Sequence, residues 1–338
     1  MRRSRVLVGI VAALVVLAGC GTSDGQAPTT SAPPAPAAAD GAPGPQGIPE
    51  GMGAAEPDGV FPRTVTHFGG QTRIDAEPTR VVVIATGQTD AILTLGVVPA
   101  GAAAGDGADL IPRYVRDAFP QYAAQLDAMP SVGQRQNPNL ESLAALQPDL
   151  IMANAAASQD IYPALSQIAP TVLVQGTGVN WKQDFLLLAD SLGREGVGRA
   201  YLDSFEADAK ALGARAGDRT VSFVRVTVDR TRVFGVPSFP GFIAWDAGLA
   251  RPATQQFDKT SQDLSPEQLR DADGDLIFYS VQGSTSAADA ASSPVLGSEL
   301  WRNLTGEQVW VDDDPWYLNA GPTAARLVLD GLTRQLAP

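Results

Sequence analysis

The sequence predicts an α/β protein with two lobes, each built on a mostly parallel sheet flanked by helices, and one long helix that joins the lobes. Three observations support this fold class. Short apolar strands alternate with helical segments, one helix–strand unit recurs in the second half of the chain, and a long amphipathic stretch lies between the two repeats. The length of 338 residues, with 44% apolar and 18% charged residues, allows two domains with a large buried core.

The start of the chain carries a secretion signal. Three arginines precede an apolar run over residues 6–16, which is too short to span the ~30 Å core of a bilayer. The run ends in Leu17-Ala18-Gly19-Cys20, which resembles the lipobox of bacterial lipoproteins. We therefore predict that residues 1–19 are a signal peptide and that Cys20 receives a lipid. A plain signal peptide with a chance cysteine is the alternative.

Residues 20–61 are rich in proline, alanine and glycine, as in Ala32-Pro33-Pro34-Ala35-Pro36. A segment of this composition cannot bury a core and favours an extended, disordered spacer. We expect a lipid-anchored tether over these residues, with the folded part starting at residue 62. Two or more acyl chains on Cys20 would hold the mature protein stably on a membrane surface.

Residues 62–180 form the predicted N-terminal lobe. Its strands are short apolar runs of the kind that a sheet buries on both faces, at Arg80–Ala85, Val97–Ala100, Asp149–Met152 and Thr171–Val174. Helices are predicted between these strands, over Asp90–Leu95 and from Glu141 to the break at Gln147-Pro148. This alternation of helices and strands predicts a mostly parallel sheet.

Residues 181–216 form the predicted linking segment, and residues 217–338 form the predicted C-terminal lobe. Apolar residues recur at helical spacing from Phe185 to Leu192 and again from Leu202 to Leu212. At 1.5 Å per residue, a helix of about 20 residues is ~30 Å long, which is enough to connect two lobes.

One spacing is repeated in both lobes. Glu141 and Glu267 each stand eight positions before an Asp-Leu-Ile strand start, at Asp149 and Asp275 respectively. Each glutamate is predicted in the first turn of a helix, where a carboxylate is favourable through the helix dipole without any further role. A chance match of the two spacings is the other alternative at this stage.

Charge and composition exclude several classes of function. The net charge of −13 would repel nucleic-acid phosphates. The chain has one cysteine, Cys20, and one histidine, His67, so an internal disulfide, a Cys/His zinc cluster and a multi-histidine metal site are excluded by count. A Ser-His-Asp hydrolase would depend on His67 alone. We therefore expect no metal site of the protein's own. We also expect no enzyme, although these counts leave carboxylate, lysine or Ser/Lys chemistry open.

Several motifs together resemble the iron-siderophore/cobalamin class of ABC-transporter substrate-binding proteins. The most specific is Asn139-Leu140-Glu141 followed by Pro148-Asp149-Leu150-Ile151, and weaker matches are Arg80–Ile84, Leu95–Pro99, Ser265–Leu269 and the terminal helix from Gly321. The resemblance covers roughly residues 62–336. It implies a ligand cleft between the two lobes and an extracytoplasmic location, and we expect a monomer.

The resemblance also implies a role for the repeated glutamates. Glu141 and Glu267 match the positions at which one glutamate on each lobe contacts an arginine pocket on each of two permease subunits. A symmetric partner needs one anchor on each lobe, which explains the repeated spacing. Complementary charges of this kind set docking register and association rate more than affinity.

The ligands of this class are ferric siderophores, haem and cobalamin, and fixed cationic donors would hold their oxygen atoms. Arg135 matches the position at which hydroxamate-siderophore binders carry a ligand-contacting arginine; a solvated loop arginine is the alternative. Arg225 lies within an apolar strand, so its charge must reach either a cleft or a paired carboxylate.

Aromatic side chains form the second group of candidate ligand contacts. Trp316 is the first choice, with Tyr317 and Phe239 behind it, because relatives place a ligand-stacking aromatic before the last helix. Packing in the core is the alternative, since aromatic side chains bury large areas wherever they lie. The preceding Asp312–Asp314 is expected to be a solvated acidic turn.

We therefore predict a lipid-anchored protein on the outer side of the cell membrane that captures a ferric siderophore and delivers it to an ABC permease dimer. No resident cofactor and no nucleic-acid partner are expected. A haem or cobalamin binder of the same fold, and an envelope interaction protein that has lost transport, are the alternatives. His67 is expected to lie in an N-terminal hairpin strand. A role as haem ligand is the functional alternative for this residue.

Overall fold

The computed structural model describes residues 41–105 and 108–337. The predicted signal peptide, the predicted lipidation site Cys20 and the first half of the predicted tether lie outside these residues. Over the described ranges, no helix combines the length and apolar character that crossing a bilayer requires.

The first lobe begins with an antiparallel hairpin and continues into a six-stranded sheet. The hairpin pairs β1 (Arg63–His67) with β2 (Gly70–Ile74). The sheet contains β3 (Val81–Val83), β4 (Gly101–Ala104), β5 (Ser131–Gln134), β6 (Asn137–Pro138), β7 (Leu150–Asn154) and β8 (Thr171–Val174), in the order β6-β5-β4-β3-β7-β8. All neighbours in this sheet are parallel except the short antiparallel pair β5–β6.

Helices connect the parallel strands of this lobe, as parallel pairing requires. They are α1 (Gln88–Thr94), α2 (Arg113–Ala118), α3 (Ala123–Asp127), α4 (Leu140–Ala145), α5 (Ala155–Ser158) and α6 (Tyr162–Ile168), with a 3-10 turn at Pro120–Tyr122. Asn139 caps α4 by accepting a hydrogen bond from the Ser142 N–H, which fixes the helix start immediately before Glu141.

The linking segment forms two helices, α7 (Trp181–Ser191) and α8 (Glu195–Ala216), after a 3-10 turn at Gly178–Asn180. Helix α8 has 22 residues and includes Gly196 and Gly198, which therefore do not interrupt it. Its buried stripe is Gly198, Leu202, Phe205, Ala209, Leu212 and Ala216, at the spacing that the sequence predicts.

The second lobe contains a five-stranded mixed sheet. Its strands are β9 (Val221–Val226), β10 (Thr231–Phe234), β11 (Ser261–Leu264), β12 (Leu276–Val281) and β13 (Glu307–Trp310), in the order β11-β10-β9-β12-β13. Strands β9, β12 and β13 are parallel, whereas β10 and β11 are antiparallel additions at one edge. The helices are α9 (Phe239–Asp246), α10 (Ala287–Ala290), α11 (Glu299–Arg302) and α12 (Pro322–Leu336), with 3-10 turns at Ala253–Gln255 and Pro266–Ala272 and a π-turn at Asp314–Leu318.

The strand predicted over Val97–Ala100 is wrong, because the strand at this place is Gly101–Ala104. Three alanines in a row have a weak intrinsic preference for strands. Here they are buried between β3 and β5, and hydrogen bonding to both neighbours decides their conformation. Tertiary context has overridden local propensity.

Residues 41–61 contact the folded domain, although the sequence assigns them to the tether. The Ala54 N–H donates to the Asp190 carboxylate, and Gly53 forms an isolated bridge with Thr66 of β1. Farther along, the Asp58 carboxylate accepts from the N–H groups that open α8. The described part of the predicted tether is therefore a packed strap rather than a free spacer. Its backbone finds partners on the domain, which composition alone does not reveal.

The last helix joins the two lobes through a buried carboxylate. Asp90 on α1 accepts hydrogen bonds from the N–H groups of Thr323 and Ala324, at the start of α12, and from the Tyr114 hydroxyl. Burial raises the pKa of Asp90. A carboxylate at a helix N-terminus is favoured by the helix dipole, so this contact fixes the last helix against the first lobe.

Candidate functional site

A cavity of about 700 Å³ lies between the two lobes. The segments that follow β3, β5, β7 and β8 line one side, and residues of β9, β10, α9 and the Asp314–Leu318 turn line the other. Ligands of open α/β sheets bind at the carboxyl ends of the strands, since the loops converge there. The volume falls in the ~300–1,000 Å³ range of small-molecule sites.

Gln88 holds the floor of the cleft on the first lobe. Its side-chain oxygen accepts from the Ala85 N–H at 3.0 Å, and its amide nitrogen donates to the Ala153 carbonyl at 2.9 Å. These bonds tie together the carboxyl ends of β3 and β7. No motif in the sequence marks this glutamine, which is buried and lines the cavity.

The loop Gly176-Thr177-Gly178 forms part of the cleft wall. Thr177 has a φ of 74°, a conformation that residues other than glycine rarely adopt. A Cβ on Gly178 would lie 2.8 Å from the Cβ of Phe239, so glycine permits the close approach of this loop to α9. The loop is therefore a contact between the two lobes.

Asp184, which the sequence did not single out, is a half-buried carboxyl group in the cleft wall. Its two oxygens accept from the N–H groups of Gln175 and Gly176 at 3.0 and 2.8 Å. Burial raises the pKa of Asp184 from 3.8 to about 7, against the opposing effect of these hydrogen bonds. At neutral pH the site therefore contains a carboxyl group that is only partly ionised.

Relative to the wild type, an Asp184→Asn variant is expected to gain roughly 5 °C in Tm between pH 4.5 and pH 8, because the amide does not titrate. The folded-state pKa lies above the unfolded value of 3.8, so the native state binds more protons between about pH 4 and pH 7. The contribution of the Asp184 carboxyl group to the free energy of unfolding therefore falls as the pH rises from about 4 to about 7. Differential scanning calorimetry of both proteins at the two pH values is the measurement. A Tm difference that is the same at both would contradict the assignment.

Arg135 lies at the cleft, directly after β5, as the sequence predicts. It is half-buried, and its backbone N–H donates to the Ala104 carbonyl at 3.0 Å. This bond sets the point at which the chain leaves the sheet. The adjacent Gln136 also lines the cavity.

Arg225 reaches both the cleft and a carboxylate. Its Nε and Nη2 donate to the two oxygens of Asp313 at 2.8 and 2.6 Å, and Ser280 donates to the same carboxylate at 2.6 Å. Both side chains of the ion pair are about one-tenth exposed. Arg225 lines the cavity, but its charge is neutralised by Asp313.

The expectation of a solvated acidic turn over Asp312–Asp314 is wrong for Asp313, which is buried in the pair with Arg225. Asp312 forms an exposed ion pair with Arg113 of α2, at 3.2 Å between Nη2 and Oδ2. Burial, together with repulsion from the two neighbouring carboxylates, raises the pKa of Asp314 to about 6. Consecutive acids in a sequence do not reveal which of them faces a buried arginine.

The three predicted aromatic residues all line the cavity, but each is also part of the packing around it. Trp316 stacks on Phe278 with ring centroids 5.1 Å apart and is only 4% exposed. Tyr317 donates its hydroxyl to the Phe278 carbonyl at 2.7 Å. Phe239 meets the Trp181 ring edge-on at 6.0 Å. The aromatic wall is therefore held rigidly before any ligand arrives.

Trp181 is a further cleft residue that the sequence did not distinguish from a core aromatic. Its side chain is buried and lines the cavity, and its indole N–H has no hydrogen-bond partner among the described residues. With Trp316 it places two indole rings at the cleft, and these provide a fluorescence signal for binding.

Glu141 and Glu267 are exposed and lie outside the cavity, one on each lobe. Glu141 lies in the first turn of α4, whereas Glu267 lies in a 3-10 helix rather than the α-helix that the sequence predicts. Hydrogen bonds from its own backbone N–H and from Ser265 lower the pKa of Glu267, so it is ionised at neutral pH.

The aspartates that follow these glutamates also have equivalent contacts. Asp149 accepts hydrogen bonds from the backbone and side chain of Thr79, two residues before β3. Asp275 accepts the same two bonds from Thr220, at the start of β9. Strand β3 pairs with β7, and β9 pairs with β12, in the same parallel sense. The repeated spacing is therefore a structural repeat of the two lobes and not a chance match.

His67 lies in the predicted hairpin strand and is buried. Its Nδ1 accepts from the N–H groups of Gly69 and Leu173, and its Nε2 bonds the Thr72 hydroxyl at 2.9 Å. Burial lowers the pKa of His67 to about 4, which keeps the ring neutral. It does not line the cavity.

Residues 81–306 match the sequence profile of the family described as "Periplasmic binding protein". The chain belongs to this family. The matched segment of this periplasmic binding protein runs from β3 to the residue before β13 and contains most of both lobes. Because the family is one of binding proteins, the prediction that the chain is not an enzyme is confirmed, and so is the predicted family.

Individual relatives cover most of the chain. The protein named "Probable siderophore-binding lipoprotein YfiY", from Bacillus subtilis, is 32% identical over 287 residues, which is 80% of this chain and 86% of that protein. The achromobactin-binding periplasmic protein of Dickeya dadantii is 28% identical over 275 residues, covering 76% of this chain and 86% of that protein. These relatives are lipoproteins or periplasmic proteins, in agreement with an extracytoplasmic location.

A solved structure has the same fold. The crystal structure of Staphylococcus aureus SirA complexed with staphyloferrin B matches with a TM-score of 0.68 and 28% identity, over 81% of this chain and 98% of that chain. The predicted fold class is thereby confirmed.

Proposed function

We propose that this periplasmic binding protein captures a ferric siderophore in the cleft between its lobes and delivers it to an ABC permease. The observation that carries the proposal is the cavity of about 700 Å³ that both lobes line, with Arg135 and a rigid aromatic wall at its surface. The donor atoms of a siderophore already fill the coordination sites of its iron. The protein therefore needs hydrogen-bond donors and flat apolar contacts instead of metal ligands. The relative named for siderophore binding and the one named for achromobactin binding support the same conclusion.

Arg135 is the residue we propose for recognition of the chelate oxygens. A guanidinium offers several donors in one plane, which suits carboxylate, hydroxamate and catecholate oxygens. Arg225 is a second candidate contact, although Asp313 already occupies two of its donors. Trp316, Tyr317 and Phe239 would contact the apolar parts of the ligand.

Two further parts of the proposal concern delivery. Cys20 is the proposed lipidation site, which would hold the protein on the outer surface of the membrane. Glu141 and Glu267 are the proposed docking residues, one for each subunit of a permease dimer. Both are exposed and stand at equivalent positions of the two lobes.

The test is a tryptophan-quenching titration of the mature protein with ferric citrate, a ferric hydroxamate, a ferric catecholate, haem and cobalamin. We expect at least one ferric chelate to bind with a Kd below about 10 µM, which corresponds to a binding free energy of ~7 kcal/mol. Quenching by haem or cobalamin alone would favour those ligands instead. If no compound quenches the fluorescence, uptake of an iron chelate is the wrong function.

An Arg135→Ala variant is expected to bind the best chelate about 10- to 100-fold more weakly. The reason is the loss of a hydrogen bond from a charged donor, which contributes ~1.5–3 kcal/mol of binding free energy. Arg73→Ala is the matched control, since Arg73 is an exposed arginine of β2 outside the cavity. The same titration measures both variants. An unchanged affinity for Arg135→Ala would remove this residue from the site.

A further inference from the structure

Arg251 is a buried arginine next to the second-lobe wall of the cleft, and it does not line the cavity itself. Its Nη2 donates to the Phe234 carbonyl at 2.6 Å and to the Gln255 side-chain oxygen at 2.8 Å. Its Nε and Nη1 are buried and have no acceptor among residues 41–105 and 108–337. Gln255 is itself fixed by bonds to Ser222 and the Asp271 carbonyl, so the guanidinium has a defined position.

The charge of Arg251 has no carboxylate partner in the described part of the chain. Instead, its Cζ lies 4.4 Å from the centroid of the Phe223 ring, a cation–π contact that partly replaces an anion. An unpaired buried charge is destabilising, so its presence requires a compensating reason. Burial lowers the pKa of Arg251 to about 9, and the side chain is cationic at neutral pH.

Two cleft residues connect this charge with the cavity. Phe234, whose carbonyl accepts from Arg251, lines the cavity, and its ring lies 4.9 Å from that of Tyr317, which also lines it. The charge of Arg251 acts on Tyr317, where it opposes the strong upward effect of burial on the tyrosine pKa. The other buried cation of this wall, Arg225, is neutralised by Asp313.

We propose that Arg251 is a specificity-determining residue whose unpaired charge makes the cleft favour anionic ferric chelates over neutral ones. The inference rests on the proposed function and assigns a preference to that same site. A charge in a low-dielectric interior is weakly screened, so it acts on a ligand that it does not touch. The overall charge of −13 would otherwise repel an anionic ligand.

The test uses ferric citrate as the anionic probe and ferrichrome as the neutral probe, titrated against the wild type, Arg251→Met and Arg251→Gln. We expect Arg251→Met to bind ferric citrate about tenfold more weakly while ferrichrome affinity changes less than about twofold. Arg251→Gln removes the charge but keeps an amide donor for the Phe234 carbonyl, so it should weaken ferric citrate as Arg251→Met does. Arg219→Met, at an exposed arginine paired with Glu307, is the control.

The outcomes separate this inference from the proposed function. A wild type that binds neither these probes nor the other ferric chelates shows that the proposed function is wrong. A wild type that prefers ferrichrome, or an Arg251→Met variant that weakens both probes equally or neither, overturns the role of Arg251 and leaves the proposed function standing. If Arg251→Met does not fold, wild-type affinity for ferric citrate in folded Arg251→Gln overturns the charge argument, because its charge is removed.

Discussion

An Asp313→Ala variant is expected to lose about 3–5 kcal/mol of unfolding free energy, because it leaves the Arg225 guanidinium buried without its partner. Asp313 accepts two hydrogen bonds from Arg225 and a third from Ser280, and both members of the ion pair are about one-tenth exposed. Urea denaturation at pH 7, followed by circular dichroism, measures the loss.

Two further variants show whether the loss comes from the unpaired charge. Replacing both partners, as Arg225→Met with Asp313→Leu, is expected to restore most of the stability, since no charge then remains buried. Asp312→Ala is the matched control, because the neighbouring Asp312 pairs with an exposed arginine and should cost less than ~1 kcal/mol. Similar losses at Asp312 and Asp313 would contradict the special role of the buried pair.

A Glu141→Arg/Glu267→Arg double variant is expected to abolish iron-chelate uptake in cells while chelate affinity stays within about twofold of the wild type. Both glutamates are exposed and lie outside the cavity, so the binding reaction does not involve them. Reversing both charges would place like charges against the proposed arginine pockets, and such contacts cost several kcal/mol. Uptake of radioactive iron, measured in cells that express the variant from its own promoter, gives the transport rate.

Each single reversal is expected to reduce transport strongly, because a two-fold permease would lose one of two anchors. Glu50→Arg is the control, since it reverses an exposed carboxylate in the strap and leaves both glutamate positions intact. Full transport by the double variant would show that these glutamates are ordinary first-turn carboxylates favoured by the helix dipole. A parallel loss of chelate affinity would show damage to the fold instead.

The regular elements of this protein were largely predictable because each depends on a local pattern. The apolar strand at Thr171–Val174 and the amphipathic stripe of α8 have the periods that buried strands and helices require. Prediction failed at Gly101–Ala104, where three alanines become a strand only because neighbouring strands bond them on both sides. It also failed for residues 41–61, whose backbone and Asp58 side chain form hydrogen bonds with residues that are far away in the sequence.

The candidate site was only partly predictable, since a cleft joins residues that are far apart in the chain. All five proposed ligand contacts line the cavity, yet Trp316 is mainly a packing residue and Arg225 is mainly paired. Gln88 and Asp184, which hold the cleft walls, belong to no recognisable motif. Their positions follow from backbone N–H groups that only the folded chain brings to them.

The sequence by itself determined the fold class, the family and the repeated glutamate positions, because these depend on hydrophobic period and on short motifs in one continuous stretch. The tertiary structure alone decided which charges are neutralised. Asp313 neutralises the charge of Arg225, whereas Arg251 has no carboxylate partner among the described residues. The charge of Arg251 therefore remains unpaired next to the cleft wall. The physical reason is that the interaction of a buried charge depends on distance and burial, and neither is encoded by the neighbours of that residue in the chain.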